Sequence, residues 1–162
     1  MMNASQSGGP PAAQAPVPQI DDRELKRLYD YWVERRGNRL MPARADIDPL
    51  AIGYILGHLF LFDVLPGPKF RIRLQGSELT WWIGQELTGD LLDGLPQPQL
   101  RALAQTSLAD VVAVRRPTHW IGNHDLDGVR RHYETLLLPL SSDGSSVDVV
   151  IAGIRCRIGG AA

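Results

Sequence analysis

FRIRLQGSELTWWIGQELTGDLLDG, residues 70–94, is the stretch on which the reading of this chain turns. It opens as an alternating strand, with Phe70, Ile72 and Leu74 toward one face and Arg71, Arg73 and Gln75 toward the other. A period of two marks a sheet with one buried and one wet face. Gly76-Ser77 breaks the strand, and Ser77 is placed to cap a short helix carrying Leu79, Trp82 and Ile83 on one side. Gly84 suits the left-handed residue that ends such a helix. A second loop, Leu87-Thr88-Gly89, leads to Leu91-Leu92-Asp93. Nothing in the stretch is a nucleophile, a metal cluster or a phosphate loop. It is architecture, and the use this architecture suggests is a small concave pocket.

Working upstream, residues 58–64, HLFLFDV, form a strongly apolar strand. The turn Leu65-Pro66-Gly67-Pro68-Lys69 pairs it antiparallel with the strand Phe70 to Gln75. Asp48-Pro49 is a cap and first-turn pair for a helix through about Leu56. Arg44, Asp46 and Asp48 flank a short apolar segment between Pro42 and Pro49, which predicts a salt bridge fixing this linker to the sheet. Asp21-Asp22-Arg23-Glu24 reads as a helix start, with Asp21 as cap and Glu24 three residues on. Leu25, Leu28, Tyr29, Trp32 and Val33 follow at helical spacing, and Gly37 closes the helix 21–36. Residues 1–20 carry no charge and four prolines. They lack the periodic apolar residues that offset ordering entropy, so a flexible tail is expected.

Downstream, Pro98 starts a longer helix with Leu100, Leu103, Ala104, Leu108, Val111 and Val112 inward, and Pro117 ends it. Three strands follow at about Thr118–Gly122, Arg131–Leu140 and Val147–Ile158. Asp125-Leu126-Asp127-Gly128 and Ser142-Asp143-Gly144 supply the turns between them. Five strands interrupted once by helices describe an α+β domain over 21–158, with an antiparallel sheet covered on one face.

A chain of 162 residues fits one domain with a tail. Its net charge of -1 argues against gripping phosphate backbones, so nucleic acid is not an expected partner. Cys156, the one cysteine, forms no internal disulfide, which fits a reducing compartment. The most apolar window, Tyr54 to Leu65, is too short to span a bilayer and is interrupted by Gly57, His58 and Asp63. With no signal peptide at the start, the reading is cytoplasmic and without a membrane.

Two strands, a short helical crossover, a longer helix and three strands resembles a PAS domain, most closely a subfamily of short, single-domain bacterial PAS proteins. The resemblance rests on Tyr31-Trp32, the segment from Pro42 to Pro49, Phe70 to Gly76, Gly84 with Leu87-Thr88-Gly89, and Glu134 to Leu140. It covers roughly residues 21–158. It implies a five-stranded sheet ordered 2-1-5-4-3 and a non-enzymatic sensory module that transmits through protein contacts. A small molecule beneath Trp81-Trp82 and the 98–116 helix would be its gate, and a separate signalling protein its partner. No cofactor is assigned. Light-sensing flavin PAS domains carry their reactive cysteine in an N-C-R-type motif on a helix; this chain has none, and Cys156 reads as a structural thiol.

The resemblance places His119 and Trp120 near the pocket, where His119 would touch a haem or other ligand; the plainer reading is a strand histidine satisfied by hydrogen bonds. Trp82 shares a helical face with Leu79 and Ile83 and reads as core, while Trp81 points elsewhere, to the pocket or to a contact surface. The same-face pairs Arg71 with Arg73 and Arg155 with Arg157 suit an anion or, more plainly, a solvated sheet face. The histidines show no metal-type spacing, so no metal site is expected. No catalytic residue is assigned; the alternative function is an isomerase- or hydrolase-type enzyme using the same pocket, with Asp63 and His119 as an acid–base pair. Finally, the stripe of the first helix, with Leu25, Leu28, Tyr29 and Trp32 as anchors, predicts a homodimer element, against the alternative that it caps its own sheet.

Overall fold

The computed structural model describes residues 18–126 and 128–158. The tail expected over 1–20 thus lies mostly outside the described residues, though Ile20 packs against the core. In chain order the elements are α1 (Arg23–Arg36), β1 (Leu59–Leu65), β2 (Lys69–Gln75), α2 (Ser77–Ile83), α3 (Pro98–Val114), β3 (Thr118–Leu126), β4 (Val129–Leu140) and β5 (Val149–Ile158). The strands make one sheet in the order β2-β1-β5-β4-β3, every pairing antiparallel, as expected.

Strand composition follows position in the sheet. β2, at one edge, alternates buried and exposed residues, whereas Leu59 to Phe62 of β1 are buried in succession. Thr135 to Leu140 of β4 are likewise buried without a break. Such runs need cover on both faces, so the expectation of helices on one face is extended. α2 and α3 lie on one side, and α1 packs across β4 and β5 on the other.

α1 sits close because β5 has no side chain beneath it. A Cβ on Gly153 would stand 2.7 Å from Leu25 Cδ2 and 3.3 Å from Leu28 Cδ2. Leu25, Leu28 and Trp32 are therefore buried in the chain's own core, at 0%, 0% and 1% exposure. This corrects the reading of Leu25, Leu28 and Trp32 as dimer anchors, since they are covered in cis, while Tyr29, the fourth expected anchor, is half-buried against the same core. Each such apolar side chain contributes on the order of 1.5–3 kcal/mol by leaving water, and the helix spends its stripe on its own sheet.

Local starts and stops differ in detail from the sequence reading. Asp22, not Asp21, caps α1, its carboxylate accepting from the N–H groups of Glu24 and Leu25. Gly76 occupies the cap position of α2, with Ser77 already inside the helix, and Gly84 ends it with φ +82°. The helix expected over 48–56 is instead a set of turns leading to a 3-10 turn at Leu56–His58. The bonds Ala51 N–H to Asp48, Ile52 N–H to Pro49 and Ile55 N–H to Ile52 all span three residues. That tighter winding puts Ile52 and Ile55, three apart and both buried, on one side. Asp46 takes its ion pair from Arg39 at 2.9 Å, while Arg44 donates to the Ile47 carbonyl.

Candidate ligand cavity

A cavity of about 100 Å³ lies between the sheet and the α2–α3 layer. Alternation along each strand decides what it sees. β1 presents Phe60 and Phe62, whose rings lie 5.2 Å apart, and β2 presents Ile72. Trp120 of β3, with Tyr133, Thr135 and Leu137 of β4 and Ala152 and Ile154 of β5, completes the floor. Leu79, Trp82 and Ile83 of α2 roof one end, and Leu92, Leu95 and Gln97 close the side. The first half of α3 spans the top through Leu100, Leu103 and Ala104, none of them fully buried. Its fully buried residues, Leu108 and Val111, come later in the helix. α3 is thus anchored by its second half and rests more lightly over the cavity with its first.

The polar groups of the lining are few, and among the described residues no lining side chain is charged. Tyr133 pairs with Cys156 across β4 and β5; burial first, then the adjacent Cys156, pushes its hydroxyl well above the ordinary tyrosine range. Burial also raises the Cys156 thiol, which keeps it protonated and a poor nucleophile. Gln97 Oε1 is buried with no hydrogen-bond partner among the described residues.

Of the three residues expected to touch a ligand, the structure brings one to the cavity. Trp120 lines it. Trp81 is 76% exposed and faces away; its neighbour Trp82, read as core, is the one that roofs the space. His119 is turned to the opposite face by the strand alternation that points Trp120 inward. There its Nε2 stands 2.7 Å from Glu134 Oε2.

That outer cluster is a docking device for α1. Glu134, 4% exposed, accepts the backbone N–H of Asp21 at 2.8 Å and of Asp22 at 2.9 Å. Arg155 Nε donates to Asp22 at 3.0 Å and the guanidinium reaches Glu24 at 3.4 Å. Burial pushes the Asp22 carboxyl up, but the Leu25 and Glu24 N–H groups and Arg155 outweigh it and hold it below the usual range. The arginine pairs are also used internally, since Asp63 holds Arg73 at 2.8 Å and Arg71 at 3.6 Å. Asp63 on β1 and His119 on β3 are separated by β5 and β4, roughly 14 Å at ordinary strand spacing. Each has its own partner, so they form no acid–base pair.

Among the described residues no cluster of His, Cys, Asp and Glu could hold a metal ion, and no helix is long and apolar enough to cross a membrane. His119, the residue expected to touch a haem, faces away from the cavity. Cofactor pockets ordinarily run to roughly 300–1,000 Å³ with several placed polar groups. The space of about 100 Å³ is smaller than that range.

The sequence pattern of the PAS domain family matches residues 20–154. Among curated proteins, none matches. Among solved structures, the PAS domain of BvgS from Bordetella pertussis aligns with a TM-score of 0.51 at 19% identity, covering 63% of this chain and 79% of that one. A Rhodobacter sphaeroides LOV protein gives 0.47 at 13% identity over 88% of this chain and 70% of that one. A domain of an HTR-like protein from Haloarcula marismortui gives 0.45 at 16% identity over 60% and 94%. At such identities the likeness shows the fold.

Proposed function

Because the chain belongs to the PAS domain family, we propose that it is a non-enzymatic sensory module that acts by contact with a separate signalling protein, gated by a small molecule in the cavity. The observation that carries this reading is the lightly held first half of α3 over an apolar space. A molecule entering there gains its binding energy from apolar burial and has a movable wall to act upon. By contrast, the second half of α3 and the α1 face are tightly packed, so the surface around α2 and residues 92–108 is where occupancy would be read out.

The test is native mass spectrometry of the freshly purified chain, followed by hydrogen exchange with and without small apolar compounds. A retained mass or an added compound should slow exchange in α2 and residues 98–108 while leaving β4 and β5 unchanged. Exchange that is unaltered by every compound, or that changes only on the α1 face, would remove the cavity from the account.

A further inference from the structure

Resting on that sensory reading, we propose a chemical class for the occupant: an uncharged single-ring molecule with one hydrogen-bond donor, which Gln97 Oε1 accepts. Three observations lead there. The cavity, about 100 Å³, is of the order of the roughly 150 Å³ apolar cavity that takes up a benzene ring. Its walls include the rings of Phe60, Phe62, Trp82 and Trp120, which suit an aromatic face or edge. Among the described residues no lining side chain is charged, so a carboxylate or ammonium would enter without a countercharge from them and lose its hydration uncompensated.

The donor follows from the lining's polar atoms: beside the hydroxyls of Ser107, Tyr133 and Thr135, the wall holds one side-chain amide, that of Gln97. Tyr133 is engaged with Cys156. Among the described residues, Gln97 Oε1 is buried without a partner at the side of the cavity where residues 92–97 lead into α3. A buried carbonyl in that condition is costly until a donor reaches it. The same contact would tie the ligand to the residue that precedes Pro98, the first residue of α3, and so to the element that roofs the space.

Phenol, toluene and benzoate separate the parts of this proposal. Each is titrated into the full chain and into Gln97→Leu, with amide chemical shifts as the readout. Phenol and toluene should bind the wild type and shift residues around the cavity, and benzoate should not. Gln97→Leu should weaken phenol about two- to tenfold, the worth of one neutral hydrogen bond, and leave toluene equal or tighter. If phenol and toluene change by the same factor, the donor assignment is wrong although the cavity reading stands. Binding of benzoate in competition with phenol would overturn the uncharged class. If neither ring compound binds, the cavity reading fails together with the proposal. Where Gln97→Leu does not give the folded spectrum, Gln97→Met, which keeps the length and removes the carbonyl, takes its place.

Discussion

The indole Nε1 of Trp32, in the first helix, donates a 2.9 Å hydrogen bond to the carbonyl of Pro139 in the fourth strand of the same chain. The ring is 1% exposed, so packing and hydrogen bond together fasten α1 to its own sheet. Trp32→Ala should cost about 3–5 kcal/mol, and Trp32→Phe about 1–3 kcal/mol through the unpaired carbonyl. Denaturant unfolding at several protein concentrations checks this. Losses that depend on concentration would mean that the tryptophan holds two copies together instead.

Glu134→Gln should loosen the start of α1 without melting the sheet. The wild-type carboxylate serves the N–H groups of Asp21 and Asp22 and faces His119. An amide retains one acceptor oxygen and leaves a buried donor unmet, at a cost of about 1–3 kcal/mol. Amide exchange at Asp21 and Asp22 should quicken by one to two orders of magnitude, while Leu136 and Ile151 keep their protection. Equal loss at all four positions would show that the cluster supports the whole fold rather than the helix start.

Two glycines should rank clearly when replaced by alanine. A Cβ at Gly76 would stand 2.2 Å from the Gly57 carbonyl oxygen, a backbone atom with nowhere to go. At Gly153 the nearest atom, at 2.7 Å, is the end of the Leu25 side chain, which can turn aside. Gly153→Ala should cost about 1–3 kcal/mol, and Gly76→Ala about 4 kcal/mol or more. Chemical denaturation gives the order directly; the reverse order would contradict the contact between the two backbones.

Acid should act through His58. Burial, and then Arg155, hold its pKa below the ordinary value, against the opposing pull of Glu78, Glu24 and Asp22. A depressed folded-state pKa means that this contribution is complete above about pH 6.5, the unfolded value. It is lost as pH falls through the folded-state pKa. His58→Phe, which preserves a ring beside Trp82 at the 5.6 Å position, should flatten the melting temperature between pH 7 and pH 5. The quantity to compare is the difference between wild type and variant at each pH. Parallel curves would rule His58 out.

Local patterns carried the fold far. The period of two in Phe70 to Gln75, the apolar run of β1, the turn residues and Pro98 placed the strands, the long helix and their antiparallel order. Each of these is a short-range preference of backbone and burial, readable over a few residues. The cavity was legible only in part, since Trp120 lines it while Trp81 and His119 lie outside it. Strand alternation could have separated His119 from Trp120, but the face that the cavity occupies depends on which helices cover which side. The same holds for Leu25, Leu28 and Trp32. An amphipathic stripe states that a helix must be covered, and what covered this one was Gly153, more than a hundred residues away in the chain. The cavity itself joins Phe60, Gln97, Trp120 and Ile154. Its volume and its unpaired carbonyl arise from packing between distant segments, a property that no local spacing encodes.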